Sequence, residues 1–356
     1  MHSVSPEPSS NCCTNRLTSG LAAVRALSSP LRRCILTGKV LPSDMLVRFE
    51  LARPRATSDA DPKSKPKQHL MLEPSRVLHP RFDPAVAGQG GQTTGKGMWV
   101  TCWSDAVAAL AKKGSYKRLH SLATMADPAL VCAQVHSQLA RRVVQEAELL
   151  AERVKSWPAA SNEGPIASWE DVPVRRFTQE ELQAGALESL QGAGKDRIVA
   201  AFDLSLDAQV GTDGLGILAE EQGPGASGRS APVPFYRLSP LFRSVLLPPS
   251  TPHPRISEDD VTPETRLMHA IRASIDSAFA LLARRFARDA AAAEAAPEDA
   301  PGPSEAVAPS QGDIFALVAP RHPETEGEQM RAKVVVPLAV ALWRLTLWSG
   351  QGWKGA

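Results

Sequence analysis

The segment from Met98 to Gly114 sets the fold class, because it places a strand directly before a helix. Residues Met98 to Trp103 are rich in β-formers and predict a strand. Residues Asp105 to Lys113 predict a helix that Ser104 caps and Gly114 ends. A strand that leads straight into a helix favours a mixed α+β domain.

The glycine-rich stretch before this strand, Gly90 to Lys96, comes within one residue of a nucleotide-binding loop. That loop needs a Ser or Thr after its lysine to ligate magnesium, a strand before it and a helix after it. Here Gly97 follows Lys96 and a strand comes next, so we reject ATP binding and keep a nucleotide-using enzyme only as a rival. Gly95 and Gly97 instead predict a tight turn that displays Lys96 at the end of a sheet.

Other segments extend this domain in both directions. Arg32 to Thr37 is a β-prone run, Leu46 to Leu51 alternates like a half-buried strand, and Pro128 to Val154 has helical spacing. We therefore predict, over residues 31–157, a small antiparallel or mixed sheet of two to three strands flanked by helices. Polar insertions are predicted at 53–68 and 87–94.

Beyond this domain the apolar pattern weakens. Aromatic residues make up only 5% of the chain, which has 30 prolines and 24 glycines, so long tracts lack the apolar surface that offsets the entropy of ordering. We predict a largely disordered extension with isolated helices. Its predicted parts are a linker at 158–262 with a short helix at 179–190, an amphipathic helix at 263–290, a disordered tract at 291–330 and a Trp-rich C-terminal segment at 331–356.

The first 30 residues are poor in acids and carry Arg16 and Arg25 among small apolar residues. This composition is typical of a transit peptide to the mitochondrion or another organelle of bacterial descent, and a disordered tail on a cytoplasmic protein is the alternative. The longest apolar stretch, Val334 to Leu347, is shorter than the roughly 20 residues of a membrane helix, so we expect no membrane association. Five cysteines without paired spacing predict neither a zinc site nor disulfides.

Charge divides the chain into two halves. Residues 1–160 carry 22 Lys and Arg against 12 Asp and Glu, whereas residues 161–356 carry 18 against 26. A basic front half favours a module that binds a polyanion, although charged blocks that only keep two halves soluble remain the alternative. No cofactor, metal site or catalytic set is predicted, because the paired acids occur at helix starts without a linked His, Ser or Cys.

Four short motifs occur in order between Leu31 and Leu119. They are Arg32-Arg33-Cys34-Ile35-Leu36-Thr37, Leu46-Val47-Arg48-Phe49, Gly95-Lys96-Gly97-Met98-Trp99-Val100, and the helix that ends Ala111-Lys112-Lys113 before Tyr116-Lys117-Arg118. In order and character they resemble the bacterial YlxR family, with Lys96 where that family usually has an arginine. Lysine keeps the charge and loses the planar fork.

The resemblance implies a small α/β domain that binds RNA without catalysis. Members of the family have been linked to the RNA subunit of ribonuclease P, and nucleoid or transcriptional roles have been proposed for them. We therefore expect a structured RNA as the partner, in RNA processing or ribosome assembly. The expected RNA-binding residues are Arg32, Arg33, Arg48, Lys96, Lys112, Lys113, Tyr116, Lys117 and Arg118.

Several readings stay open at this point. A structural ion pair with a carboxylate such as Asp44 explains Arg48 equally well. For Trp99 and Trp103, burial in the core is favoured over a contact with RNA. DNA shares the phosphate chemistry of RNA, so a DNA-binding nucleoid protein is an alternative. Another is an assembly factor that binds a protein partner through helix 263–290 or the C-terminal segment.

Overall fold

The computed structural model describes residues 28–53, 70–82, 93–160, 172–187, 196–205, 215–218, 233–243, 262–294, 312–320, 323 and 325–353. The predictions for residues 1–27, for most of both insertions and for 295–311 lie outside these residues. The described residues form six helices and three sheets, which confirms the predicted mixture of helix and strand.

The front sheet contains four strands, more than the two or three predicted. In spatial order they are β5 (Thr93–Thr101), β3 (Leu46–Ala52), β4 (Leu70–Ser75) and β6 (Ala123–Met125). Strand β3 alternates as its sequence predicts. Val47, Phe49 and Leu51 are buried on the inner face, and Arg48 and Glu50 lie on the outer face. The inner face therefore supplies the core.

Helix α1 (Ser104–Lys113) crosses the inner face from β5 to β6, two strands that lie at opposite edges of the sheet. It buries Ala106, Val107 and Leu110. Gly114 ends it in the left-handed region at φ 60°, as predicted. The predicted cap was wrong in detail, because Ser104 is the first helical residue and Trp103 occupies the cap position without a side-chain hydrogen bond.

A short hairpin extends the front sheet beyond β5. It pairs β1 (Leu31–Arg33) with β2 (Val40–Pro42), and Cys34 then forms a parallel bridge to Trp99 of β5. Cys34 and Cys102 are both fully buried and free, which agrees with their reading as small core residues. The hairpin is thereby fixed along the outer edge of β5.

The C-terminal half contains a second sheet of five strands, the back sheet. In spatial order it consists of β7 (Val174–Phe177), β11 (Ile314–Pro320), β8 (Asp196–Asp203), β10 (Val233–Arg237) and β9 (Leu215–Leu218). Strand β8 pairs in parallel with β10, and the other neighbours are antiparallel. All seven residues of β11 are buried, as expected for a central strand covered on both faces.

The prediction of an extension with isolated helices was therefore wrong. Strands β7 to β10 fall within the supposed linker, and β11 falls within the tract at 291–330 that was predicted to be disordered. The prediction averaged the composition over the whole tract at 291–330. The seven apolar residues of β11 therefore did not stand out beside the long Ala, Pro and Glu segment. Thr178 and Glu181 do form the expected capping box, but helix α3 (Gln179–Gln183) ends well before residue 190.

Three long helices pack between the two sheets. They are α2 (Pro128–Ala160), α5 (Pro263–Glu294) and α6 (Glu326–Trp348). The apolar stripe of α5, including Ile271, Ile275 and Phe279, is buried in the same hydrophobic cluster as the inner face of the front sheet. Apolar contacts thus continue across residue 157, so the two halves share one core.

Most of the predicted Trp-rich segment, residues 331–348, belongs to α6. Trp348 is buried and Trp343 packs against the core, so these rings serve packing within the chain. Arg344 of the same helix donates a hydrogen bond of 3.1 Å to the carbonyl of Leu46 at the start of β3. Among the described helices, none combines the length and the apolar character needed to cross a membrane.

His136 connects α2 to the short helix α4 (Leu238–Arg243). Its Nε2 lies 3.0 Å from the carbonyl oxygen of Leu241, so the neutral ring donates a hydrogen bond there. Burial lowers the pKa of His136 to about 4. Because the unfolded chain binds this proton more readily, stability should fall as pH drops from about 6.5 to about 4, by about 3 kcal/mol in total.

Urea unfolding at pH 7 and at pH 4.5 measures this loss. In His136→Gln the amide keeps a donor for Leu241 but does not titrate, so the variant should lose less stability than the original protein over the same interval. An identical loss in both proteins would show that His136 does not contribute.

Candidate nucleic-acid interface

Arg48 lies on the outer face of the front sheet and is not free. Its Nη2 lies 2.6 Å from Oε1 of Glu50, with only 15% and 13% of the two side chains exposed. Its guanidinium also lies over the Trp99 ring, 5.9 Å from the centroid. The expected carboxylate partner exists, but it is Glu50 rather than Asp44. The strand spacing of i to i+2, which places both on one face, was the indication that sequence analysis missed.

Gly97 leaves the space that the Arg48 side chain occupies. A Cβ at this position would sit 2.9 Å from Nε of Arg48 and 2.9 Å from the carbonyl oxygen of Phe49. Any side chain at 97 would therefore push Arg48 away from Trp99. The second glycine of the Gly-Lys-Gly motif is required by this close approach within the strand.

Lys96 lies near one end of the sheet as predicted, but within an irregular part of β5 and not in a turn, which corrects the predicted turn. Glu50 pairs with Gly97 and Ala52 pairs with Thr93, so β5 has two extra residues opposite this part of β3. Gly95 accommodates the irregularity with φ 70°. Both Gly95 and Lys96 are exposed. The segment thus lacks the strand-loop-helix context of a nucleotide-binding loop.

Arg32 and Arg33 are exposed on β1, next to this part of β5. Cys34 pairs with Trp99 in parallel, so the two arginines extend from that bridge towards the level of Lys96. We call Arg32, Arg33 and Lys96 the hairpin group.

A second set of cations lies where α1 ends. Lys112 and Lys113 form the last turn of α1, and Lys117 and Arg118 belong to the 3-10 helix Ser115–Arg118 that follows. All four are exposed. We call them the helix-end group.

Neither group is neutralised by acids in the described part of the chain. None of the ion pairs found there includes a member of the hairpin group or of the helix-end group. Seven exposed cations are therefore available for an external anion.

The aromatic candidates turn out differently from the predictions. Tyr116 is half-buried and packs against the core, which argues against its expected role as a stacking surface. Trp99 is half-buried beneath Arg48, and Trp103 lies beyond β5 with 39% of its surface exposed. The expectation that both tryptophans lie in the core was wrong, because Trp103 follows the end of the strand at Thr101.

Both cation groups lie at one end of the front sheet. Strands β4, β5 and β6 run in the same direction and all begin at the end where β3 finishes. Lys96 is near the start of β5, and the helix-end group leads into β6 at the opposite edge. Three strand spacings separate these edges, which amounts to about 14 Å. The predicted residues, apart from Arg48 and Tyr116, thus share one end of the sheet in two groups.

Comparison of the chain with protein-family models, with curated proteins and with solved structures gave no match. The YlxR resemblance therefore stays a prediction that depends on its four motifs.

Proposed function

We propose that this protein is a non-catalytic RNA-binding protein of the YlxR type. The observation that carries the proposal is the set of seven exposed cations, free of ion pairs among the described residues, at one end of the front sheet. Arginine and lysine are the main ligands of phosphate oxygens in nucleic-acid complexes. The hairpin group and the helix-end group would bind the phosphates, and Arg48 would hold the sheet face in place.

The motifs add to this charge argument. They contain the two arginines before Cys34, the Gly-Lys-Gly segment and the basic end of α1, where the hairpin group and the helix-end group lie. A role as an accessory to organellar RNA processing, such as that of ribonuclease P, or to ribosome assembly would follow. The organellar location depends on residues 1–30, of which 1–27 lie outside the described residues.

The quadruple variant Lys112→Ala, Lys113→Ala, Lys117→Ala, Arg118→Ala should bind a folded RNA much more weakly. Each phosphate contact contributes on the order of 0.7 log units at about 0.1 M salt through release of counterions. Loss of two to four contacts should then lower affinity roughly 25- to 600-fold and reduce the slope of log affinity against log salt by about 1 to 3. Fluorescence anisotropy across a salt series measures both quantities.

The control variant removes the same charge elsewhere. Arg141, Lys155, Arg266 and Arg284 are exposed, lie on α2 and α5, and form no ion pair among the described residues. Replacing these four by Ala should leave the RNA affinity within about threefold of that of the original protein. The four charges lie away from the proposed site and act on the RNA only through screened long-range electrostatics. Equal losses in both quadruple variants would remove the helix-end group from the site. A DNA duplex of equal length tests the DNA alternative in the same assay.

The rival function as a protein-assembly factor gains no support from the helices that suggested it. The apolar stripe of α5 and the Trp348 ring are buried within the chain itself. Because the two halves share one core, any binding assay needs the full chain and not residues 160–356 alone.

A further inference from the structure

We infer that the RNA is bound as a paired helix, with the hairpin group on one phosphate row and the helix-end group on the other. This inference rests on the proposed function, and it adds the class of RNA. Three features of the front sheet carry it: the separation of the two groups, the exposed acid between them, and the position of the exposed aromatic ring.

The separation of the groups fits a duplex groove. Lys96 lies on β5, and the helix-end group leads into β6, the strand at the opposite edge of the sheet about 14 Å away. Arg32 and Arg33 lie one strand further out than β5. A paired RNA helix has a wide, shallow minor groove with a phosphate row on each side, and proteins recognise such a helix through phosphate and 2′-hydroxyl contacts across that groove. Two separate cation groups therefore match two phosphate rows better than one continuous row.

One exposed acid, Glu73, lies on the strands between the groups. Glu50 of β3 and Glu73 of β4 lie directly opposite each other on the two central strands of the sheet. Glu73 is exposed, and Glu50 pairs across to Gly97, next to Lys96. Glu50 is neutralised by its ion pair with Arg48, so Glu73 is the acid that a single strand running from one group to the other would meet with its phosphates. In a bound duplex, the groove between the two phosphate rows would lie over this stretch, with no phosphate there.

The exposed aromatic ring is at the other end of the sheet. Proteins that hold single strands stack bases on exposed aromatic side chains beside the cations. Trp103 follows the far end of β5, about 20 Å along the strand from Lys96. Trp99 is covered by Arg48, and Tyr116 packs against the core. Among the residues whose exposure the structure describes, no exposed aromatic ring lies beside the cations, which favours recognition through phosphates of a paired helix.

The experiment compares two RNAs of equal length on the full-length protein: a hairpin with a long paired stem, and oligouridine, which does not pair. The RNA hairpin should bind to the protein at least about tenfold more tightly than oligouridine does at about 0.1 M salt. Both the triple variant Arg32→Ala, Arg33→Ala, Lys96→Ala and the helix-end quadruple variant should lower hairpin affinity and its salt slope. Oligouridine binding as tightly as the hairpin would overturn the inference and leave the proposed function intact. Binding of neither RNA would overturn both.

Glu73→Lys provides a sharper test, because it replaces the exposed acid between the groups with a cation. It should give a single strand a continuous basic path, and so raise oligouridine affinity at least about threefold more than hairpin affinity. Glu73→Gln, which only removes the charge, is the matched control and should have a smaller effect in the same direction. An equal gain for both RNAs in Glu73→Lys would contradict the assignment of the stretch around Glu73 to a groove.

Discussion

Gly312→Ala should destabilise the protein by about 4 kcal/mol or more. A Cβ at position 312 would overlap the carbonyl oxygen of Phe177 and lie 2.7 Å from the backbone nitrogen of Thr178. Both are backbone atoms at the end of β7, so β11 would have to separate from its neighbour to admit a methyl group. Forced overlap with backbone costs more than ordinary overpacking. The midpoint of guanidinium unfolding and its slope measure the change.

The sign of this effect also separates two descriptions of the C-terminal half. In a disordered tract, Gly to Ala would leave stability unchanged or raise it slightly by stiffening the unfolded chain. Gly114→Ala serves as the control, since a Cβ there has nothing within 4 Å and only the left-handed backbone is strained. It should cost about 1 to 2 kcal/mol. If Gly312→Ala were as stable as the original protein, the pairing of β11 with β7 would be wrong.

Glu146→Ala should cost about 3 kcal/mol of stability. Glu146 is fully buried on α2, where Arg142 lies 2.7 Å from one of its carboxylate oxygens and Arg153 donates a hydrogen bond of 2.8 Å to the other. Removing the acid leaves two mostly buried arginines uncompensated, which costs more than the ion pairs themselves contribute. Chemical unfolding at constant slope gives the difference.

The neighbouring acid Glu148 is the matched control, because it is exposed on the same helix and forms no ion pair among the described residues. Glu148→Ala should change stability by no more than about 0.5 kcal/mol. Equal effects of the two substitutions would mean that Glu146 is hydrated in solution. The sequence itself indicates that Glu146 is buried and paired. Glu146 falls on the apolar stripe between Val143 and Leu150, and Arg142 lies one helical turn before it.

The predicted RNA site depends both on the local sequence and on the tertiary structure. The sequence identified the basic segments around Arg32, Lys96 and Lys112, because charge and short motifs are local properties. It could not distinguish an available cation from a paired one. Arg48 is paired because β3 places Glu50 on the same face, and Tyr116 is half-buried because the 3-10 helix packs against the core. The pairing order of the strands then decides that Lys96 and the helix-end group lie at one end of one sheet.

Local pattern alone determined the elements of the front half. The alternation at Leu46 to Leu51, the helix that ends at Gly114 and the long apolar stripe from Pro128 all occur as predicted, because periodicity and capping act within a few residues. Only the tertiary structure decided the fate of the C-terminal half. Strand β11 is too short to stand out in composition, and it is stabilised by β7 and β8, which come from more than 100 residues earlier in the chain. Such long-range pairing supplies the burial that the local sequence lacks.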